Sequence, residues 1–359
     1  MSEEKKRGIA YTIFPIIVML ISLGFMLGCA HNIKTEIPID GCTRISGMPG
    51  PEDFAYLERE EVLIVSSHDR RNRESDGKLF WIDLSLPPEE QVGNPIDIVY
   101  PENFKPHGIS YLPTPDGGIL YVISHPMTEE VRHAIEIFGL TDESGTMQWE
   151  HLETITSDLL TSPNDLVVLP DNTLLISNDS GPGGDTIKNI RGLLHIKSGS
   201  VVYYNGSEFI DLGVPESYGN GINYVMEDGE MYIYRAALMN RSIKKFQIDR
   251  VDGDITALTY ISKTKIDSMP DNLEVDGEGN IYTAAHYNSF LFLAHAKDGS
   301  NISPTQAFII TLQGDVTELY ANKGEEISAG SVARIINGRL YIGQVFEDFI
   351  LSCPCAEEK

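Results

Sequence analysis

A short motif recurs along the chain at nearly constant spacing. It consists of proline or glycine, then polar residues, then an apolar run, and its copies start at residues 51, 106, 163, 219 and 270. These copies read PEDF, PHGI, PNDL, GNGI and PDNL, and successive copies are separated by 51 to 57 residues. A sixth, degenerate copy (AGSV) starts at residue 329. Internal repetition with a period of this size is the sequence signature of a repeat architecture.

Each copy of the motif is followed by the same succession of predicted elements. A short apolar strand leads to a turn and then to a second strand rich in β-branched and aromatic residues, as in ILYVIS, TLLISN, EMYIYR, NIYTAA and RLYIGQ. Further alternating stretches, AIEIFGL, SIKKFQI and FLFLAHA, predict additional strands. Six repeats of about four strands predict an all-β fold, a six-bladed β-propeller with four-stranded blades around a central tunnel. Beyond the N-terminus the sequence predicts no long amphipathic helix, which a TIM barrel would require.

The first 30 residues predict a segment separate from the propeller. A basic Lys5-Lys6-Arg7 precedes an apolar run from Ile9 to Leu27, a pattern that indicates a signal peptide or a membrane anchor. The sequence Met26-Leu27-Gly28-Cys29 is similar to a lipoprotein box, so lipidation of Cys29 and a plain anchor are both open. We therefore expect a signal or anchor at 1–30, a linker at 31–41 and a propeller at 42–359. The expected location is extracytoplasmic, either secreted or attached to a membrane.

Composition restricts the partners and the redox environment. The net charge of −26 should repel nucleic acid and anionic lipid headgroups, but it is compatible with cations that prefer oxygen ligands. Besides Cys29, the chain has Cys42 at the start of the propeller and Cys353 and Cys355 at its end. Outside the cytosol, this placement predicts a disulfide between the two ends, which would tie the first blade to the last.

Propeller geometry brings the polar residues of the recurring motif together. Equivalent positions in successive blades lie at the same radius, so the residues at the start of each innermost strand should meet at one end of the tunnel. The expected cluster contains Glu52, Asp53, His107, Asn164, Asp165, Asn220, Asp271 and Asn272. Carboxylate and carboxamide oxygens are the ligands that Ca²⁺ prefers. Without a cation, the carboxylates of such a cluster would repel one another and take up protons.

Two histidines are candidates for proton transfer. His107 begins the second repeat and His125 ends the second strand of the same repeat, so both should lie at the same end of the blade. Such a pair beside a metal site could act as a general base and its orienting partner. Asp179 and His286 follow comparable strands and are candidate pocket residues. The other histidines are expected to be ordinary core or surface residues, namely His31, His68, His133, His151, His195 and His295.

Taken together in their order, these motifs resemble the paraoxonase/arylesterase family from about Cys42 to Cys353. The matching stretches are PEDF, HGIS, VISHP, SPNDLVVL, SNDS, VVYY, NGIN, PDNLEVD, AAHYN and IGQVF. The resemblance implies a propeller that holds two calcium ions, one catalytic and one structural. It also implies hydrolysis of lactones and aryl esters, with promiscuous organophosphate hydrolysis as a side activity.

The resemblance further implies a role for individual residues. The catalytic calcium would be held by Glu52, Asn164, Asn220, Asp271 and Asn272. The structural calcium would be held by Asp53, Asp165 and the carbonyl oxygen of Ile109. The family's histidine dyad falls on His107 and His125, with Asp271 or Glu52 as an alternative base, and its disulfide falls on Cys42 and Cys353. Asp179 matches an acidic residue of the family's active site, and Tyr218 replaces a phenylalanine that lines the family's pocket.

Two other functions are compatible with the sequence. One is a related propeller enzyme of the gluconolactonase or strictosidine-synthase-like type, and the other is a non-catalytic binding propeller stabilised by calcium. The paired polar positions favour two ions over the single metal of a sugar-lactone enzyme, and the two histidines favour catalysis. A serine hydrolase is disfavoured because the chain has no Gly-x-Ser-x-Gly motif. The expected partner is a small lactone or ester, and the oligomeric state is left open.

Overall fold

The computed structural model describes residues 35–355 except residues 73, 144 and 145. Over this range the chain forms six antiparallel sheets whose innermost strands contact one another in a closed ring. This arrangement confirms the six-bladed propeller. The apolar run from Ile9 to Leu27 and Cys29 lie outside the described residues. Among the residues that the structure describes, no helix is long and apolar enough to cross a bilayer.

The first half of the propeller follows the chain order, after a first strand, β1 (Thr43–Ser46), that belongs to the last blade. Blade one contains β2 (Pro51–Leu57), β3 (Val62–Ser67), β4 (Lys78–Asp83) and β5 (Asn94–Pro95). Blade two contains β6 (Pro106–Thr114), β7 (Gly117–Ser124), β8 (Ala134–Glu143) and β9 (Thr146–Ile155). Blade three contains β10 (Pro163–Val168), β11 (Leu174–Asn178), β12 (Ser200–Tyr204) and β13 (Phe209–Asp211).

The second half repeats this plan with one interruption. Blade four contains β14 (Gly219–Glu227), β15 (Glu230–Ala237), β16 (Ser242–Val251) and β17 (Asp254–Lys265). Blade five has a divided inner strand and contains β18 (Met269–Pro270), β19 (Glu274–Val275), β20 (Ile281–His286), β21 (Thr305–Ile310) and β22 (Val316–Asn322). Blade six contains β23 (Gly330–Ile336), β24 (Arg339–Gln344) and β25 (Phe349–Pro354), and β1 completes it.

The two ends of the propeller meet in blade six. β1 pairs antiparallel with β25, with Thr43 opposite Ser352, and the disulfide joins the adjacent Cys42 and Cys353. The predicted pairing of these cysteines is therefore confirmed. The expectation that the bridge ties the first blade to the last was wrong, because it connects two strands of one blade. Cys355 is the free cysteine of the described residues.

Two helices of nine residues lie at the end of the tunnel where the inner strands begin, α1 (Asp185–Leu193) and α2 (Ser289–Lys297). A 3₁₀ turn (Leu238–Asn240) is the remaining helical element of the described residues. The strand predicted from FLFLAHA, residues 290–296, is wrong, because this stretch forms most of α2. Its start is fixed by Asn288, whose side chain accepts hydrogen bonds from the backbone N–H groups of Phe290 and Leu291. A short apolar run cannot distinguish a strand from a helix by periodicity alone.

The apolar core is divided among the six interfaces between neighbouring blades. At the interface of blades six and one, for example, Phe54 and Leu63 pack with Val332 and Tyr341, and all four are buried. Five comparable clusters occupy the other interfaces. Each blade therefore contributes to two cores, so the ring is stabilised as one unit.

A β-bulge lies at the recurring motif of the inner strands. In blade one Pro51 is opposite Ser67 and Asp53 is opposite Ser66, so Glu52 is an additional residue. The same irregularity occurs at His107–Gly108, Asn164, Asn220–Gly221 and Ser331. A bulge redirects a side chain out of the regular alternation of a strand. The repeated motif is thus a repeated bulge, which turns polar side chains toward the tunnel.

Candidate active site

The inner strand of blade five supplies two polar side chains where it is interrupted. Asp271 and Asn272 lie between β18 and β19, and their backbone N–H groups donate to Ala284 and Ser331 at 3.0 Å. The carbonyl oxygen of Asp271 accepts a hydrogen bond from Gly221 of blade four at 3.1 Å. Backbone contacts to three strands therefore hold this break in a fixed position.

A cavity of about 220 Å³ opens at the end of the tunnel where the inner strands begin. Its polar side is formed by Glu52, Arg70, His107, Asn164, Asp179, Lys188, Asn220, Asp271 and His286. Its remaining wall is mostly apolar and includes Tyr218, Leu238, Met239, Met269, Phe290, Phe292, Leu293 and Val345. The three predicted pocket residues, Asp179, Tyr218 and His286, all line the cavity. Helix α2, which the sequence analysis missed, provides much of the apolar wall.

Four oxygen atoms of the predicted ligand set are buried without a hydrogen-bond donor. They are Oδ1 of Asn164, Asn220 and Asn272 and Oε2 of Glu52, which forms an ion pair with Nη2 of Arg70 at 3.5 Å. Leaving such an acceptor unpaired in a protein interior costs about 1–3 kcal/mol each, so native proteins rarely do so. A cation that prefers oxygen ligands, such as Ca²⁺, would give all four oxygen atoms a partner. These residues therefore fit a calcium ion, although no three His, Cys, Asp or Glu side chains of the described residues are arranged as a metal site.

The carboxylates of the cluster have unequal surroundings. Burial raises the pKa of Asp53 and Asp165 well above the usual range, and for Asp53 the charge of Asp165 adds to the effect. Burial also raises the pKa of Asp271, although His286 opposes it. For Glu52 the effect of burial is outweighed by His107 and Arg70, so its pKa lies below the usual value. Three of the four carboxyl groups thus take up protons more readily than normal, chiefly because they are buried, and repulsion from neighbouring carboxylates adds to the effect.

Asp53 and Asp165 lie deeper in the tunnel than the cavity residues. Oδ2 of Asp53 accepts a hydrogen bond from the N–H of Ile109 at 2.8 Å, and Oδ2 of Asp165 accepts one from Ile222 at 2.7 Å. Asp165 and Ile109 also border a second cavity of about 450 Å³ at the opposite mouth, which contains the ion pair between Glu274 and Arg334 (3.0 Å). The structure therefore separates the two predicted ligand groups along the tunnel.

The two predicted catalytic histidines are in contact. Nδ1 of His107 lies 2.7 Å from Nε2 of His125, and Nε2 of His107 lies 3.1 Å from Oε1 of Glu52. A third histidine, His133, continues the row, since its Nδ1 lies 2.8 Å from Nδ1 of His125. Burial lowers the pKa of His125 well below the normal value, and His107 and His133 lower it further. The assignment of His133 as an ordinary histidine therefore missed a contact with the candidate dyad.

The contact of His133 with His125 follows from the register of the β7–β8 hairpin. Ser124 at the end of β7 is opposite Ala134 at the start of β8, so the next residues outward, His125 and His133, also face each other. The sequence places each histidine directly beside a strand terminus. The register of the hairpin was the missing information.

Two further contacts fix polar groups around the cavity. Nε2 of His286 lies 2.8 Å from Oδ2 of Asp271, and the His286 ring packs on Phe292 with centroids 4.4 Å apart. Asp179 accepts a hydrogen bond from the Ser162 hydroxyl at 2.6 Å and forms an ion pair with Lys188 of α1. Hydrogen bonds therefore hold the polar side of the cavity in place, and Lys188 of α1 adds a positive charge beside it.

Known structures share this fold. A gluconolactonase from Xanthomonas campestris matches with a TM-score of 0.53 and 15% identity, over 91% of this chain and 99% of that one. The calcium-binding protein regucalcin from Agrobacterium tumefaciens matches with a TM-score of 0.53 and 14% identity, over 90% of this chain and 96% of that one. At these identities the similarity shows the fold alone.

Sequence comparison identifies relatives over nearly the whole chain. Serum paraoxonase/arylesterase 2 of Gallus gallus is 28% identical over 324 residues, which cover 86% of this chain and 88% of that protein. Serum paraoxonase/arylesterase 1 of Mus musculus is 28% identical over 336 residues, which cover 88% and 90%. The family model named Arylesterase matches residues 71–353. Since this match spans most of the chain, the protein belongs to the arylesterase family.

Proposed function

We propose that the protein is a calcium-dependent hydrolase of lactones and aryl esters. The observation that carries this proposal is the meeting, in one cavity, of unpaired buried oxygens with His107 and an apolar wall. Oxygen ligands fit Ca²⁺, a histidine can transfer protons, and an apolar wall can hold the rest of a substrate. Membership of the arylesterase family supports the same chemistry.

Two groups of residues would hold two calcium ions. The catalytic ion would be bound by the cavity group, namely Glu52, Asn164, Asn220 and Asp271, which line the cavity, and Asn272, whose side chain donates to Glu52 beside it. The structural ion would be bound by the deeper group, namely Asp53, Asp165 and the carbonyl oxygen of Ile109. The unpaired oxygens support the first group, and the raised pKa values of Asp53 and Asp165 support the second, because a cation would offset the cost of burying these charges.

The residues of the chain would act in a defined order. The apolar wall binds the substituents of the ester and excludes water from them. A bound calcium ion supplies positive charge that polarises a carbonyl oxygen and stabilises the oxyanion. His107 would accept a proton from the attacking water at Nε2, the nitrogen that lies 3.1 Å from Oε1 of Glu52, and His125 would orient the ring of His107 through the contact at Nδ1. Asp271 and Glu52 are the alternative bases, and the contact with His286 already occupies Oδ2 of Asp271.

The cavity wall bears on the choice between lactonase types. A sugar lactone carries several hydroxyl groups, which need polar partners when they are buried. Here the wall opposite the ligand group consists of side chains such as Met269, Phe290, Phe292 and Leu293. This composition favours lactones and esters with apolar substituents over a gluconolactonase substrate.

A substrate panel with and without calcium tests the proposal. Purified protein is assayed with aliphatic lactones, a sugar lactone and phenyl esters, in excess calcium and after dialysis against a chelator. We expect turnover of apolar lactones and phenyl esters that is lost with the chelator and restored by calcium. A calcium-saturated chelator is the control. Binding of calcium without turnover of any substrate would instead support the non-catalytic binding propeller.

We also propose that residues 1–30 attach the enzyme to the non-cytoplasmic side of a membrane, followed by a linker (31–41) and the hydrolase domain (42–359). The disulfide in blade six supports an oxidising compartment. Deletion through Cys29 should release active protein from the membrane fraction, and a truncated form that still fractionates with membranes would contradict the proposal.

A further inference from the structure

Arg70 lines the cavity with donor groups that have no acceptor. Its Nε and Nη2 atoms are buried, and neither has a hydrogen-bond partner among the residues that the structure describes. Nη2 forms an ion pair with Oε2 of Glu52, but the distance of 3.5 Å exceeds the usual length of a hydrogen bond. Unpaired buried donors are rare in native proteins and are most costly on a charged group. The two donors therefore point to a ligand that supplies the missing acceptors.

A turn holds the backbone of Arg70 at the edge of the cavity. Oδ1 of Asp69 accepts the backbone N–H groups of Arg71 and Asn72 at 3.1 and 3.2 Å. The side chain of Arg71 in turn donates to the carbonyl oxygen of His295 in α2 at 2.9 Å. Because the chain is anchored on both sides of Arg70, the cost of ordering this residue when a ligand binds is reduced.

The two unpaired donors form one edge of the planar guanidinium. The N–H of Nε and the adjacent N–H of Nη2 are nearly parallel, and this edge matches the two oxygens of a carboxylate. A single carbonyl or hydroxyl oxygen would fit this pair of donors less well. The geometry of Arg70 therefore favours a carboxylate over a neutral polar group.

The proposed reaction produces such an anion close to Arg70. Hydrolysis of an ester or a lactone converts the carbonyl carbon into a carboxylic acid, which is ionised at neutral pH. The reaction centre would lie beside Glu52, the residue with which Arg70 forms its ion pair. Lys188, a second cation of the cavity wall, already forms an ion pair with Asp179. Arg70 is therefore the cation whose unpaired donors suit a product carboxylate.

We propose that Arg70 binds the carboxylate of the hydrolysis product through Nε and Nη2, so that acids with apolar chains are ligands of this cavity. This role rests on the proposed function, because the proposed reaction supplies the carboxylate. The chain of the acid would lie along the apolar wall, which includes Met269, Phe290 and Phe292. A product held at the reaction centre excludes the next substrate, so hydrolysis should slow as the acid accumulates.

Titration calorimetry with an acid and its amide tests the role of the charge. Full-length protein, saturated with calcium, is titrated with hexanoate and separately with hexanamide, which has the same chain but no charge. We expect hexanoate to bind at least about tenfold more tightly than hexanamide, because hydrogen bonds to a charged group are stronger than those to a neutral one. Equal affinities for the two compounds would overturn the proposal.

Substitutions at Arg70 show which cation binds the carboxylate. Arg70→Gln removes the charge, and Arg70→Lys keeps the charge but loses the paired donors. We expect Arg70→Gln to weaken hexanoate binding about 10- to 100-fold with little change for hexanamide, and Arg70→Lys to have an intermediate effect. Lys78→Gln removes an exposed charge from the same blade and should bind hexanoate like wild type. Unchanged hexanoate binding in Arg70→Gln would assign the carboxylate to the metal or to Lys188 and would overturn the proposal.

A spectroscopic measurement on the wild-type protein applies even if Arg70→Gln does not fold. Protein labelled with ¹⁵N at the arginine Nε atoms gives ¹H–¹⁵N signals for ordered guanidinium groups, and the signal of Arg70 is the one missing from Arg70→Lys. We expect hexanoate, but not hexanamide, to shift this signal, and a signal unchanged at saturating hexanoate would overturn the proposal. Binding of hexanoate through Arg70 in a protein that hydrolyses no substrate would contradict the proposed function alone. Turnover without such binding would overturn only the role of Arg70.

Discussion

The asparagines of the cluster are proposed ligands that would add no charge to the site. The cavity and the deeper group already contain four carboxylates, and three of these have raised pKa values. If Asn164, Asn220 and Asn272 were aspartates, three more buried charges would have to be neutralised. Carboxamides would supply ligand oxygens without that charge.

The ligand assignment predicts a joint loss of calcium affinity and stability. Replacing Asn220 or Asp271 with alanine removes an oxygen and leaves the remaining ligands incomplete. We expect at least about a tenfold loss in calcium affinity, by analogy with the effect of supporting residues at other metal sites, and a lower melting temperature. Calcium titration calorimetry and thermal unfolding measure the two effects. Exposed Glu230 of blade four is the control, since Glu230→Ala should change neither.

The histidines should behave differently from the ligands. His107→Gln removes the proton acceptor but leaves the oxygen cluster intact, so we expect kcat to fall about 100- to 10,000-fold. Calcium affinity and melting temperature should stay near wild type, and His125→Gln should cost less because it acts through His107. The measurements are lactone turnover, calcium titration and thermal unfolding of each variant. Near-normal turnover of His107→Gln with normal calcium binding would transfer the role of base to Asp271 or Glu52.

At the level of elements, the inner-strand bulges explain why so much of the site could be predicted. Proline or glycine at the start of each motif and polar residues after it recur because five blades have a bulge at this position and blade five has a break in its inner strand there. The period therefore predicted which side chains meet, although it contained no information on bulges. Helix α2 was missed for the opposite reason, since it occurs in blade five alone and no repeat identified it. The contact of His133 depends on hairpin register, which the sequence does not state.

Gly221 lies where the bulge in blade four closely approaches the break in blade five. Its replacement tests whether this close contact is required. A Cβ atom at Gly221 would lie 2.5 Å from the carbonyl oxygen of Asp271 and 2.6 Å from the N–H nitrogen of Leu273. Both are backbone atoms, so Gly221→Ala must displace a strand, and we expect a loss of about 1–3 kcal/mol in unfolding free energy together with weaker calcium binding. Gly277→Ala, in open space, should stay within about 0.5 kcal/mol of wild type. Equal urea midpoints for the two variants would contradict the argument.

For the whole molecule, acid sensitivity follows from histidines that are buried in neutral form. Burial lowers the pKa of His68 from 6.5 to about 4 in the folded state, and its Nε2 contacts the Ser75 carbonyl at 3.0 Å. Between these two values the unfolded chain binds more protons than the folded one, so stability falls as the pH drops through this window. His68→Gln should lose less unfolding free energy than wild type between pH 7 and pH 4.5, measured by urea unfolding at constant excess calcium. Parallel curves for the two proteins would show that His68 does not titrate in this way.

Ring closure is the other property of the whole molecule, and it depends on two links in blade six. The six interblade cores stabilise a closed ring, and the ring is closed where β1 pairs with β25 beside the Cys42–Cys353 disulfide. The bridge spans 311 residues, and in the chain-entropy model a loop of this size contributes about 5 kcal/mol by restricting the unfolded chain.

The double replacement Cys42→Ser/Cys353→Ser should therefore lower the guanidinium midpoint strongly, whereas Cys355→Ser should leave it unchanged because Cys355 is not bridged. The four residue pairs between β1 and β25 remain in the double variant, so calcium binding in the tunnel should survive at low denaturant. An unchanged midpoint in the double variant would show that strand pairing alone closes the ring.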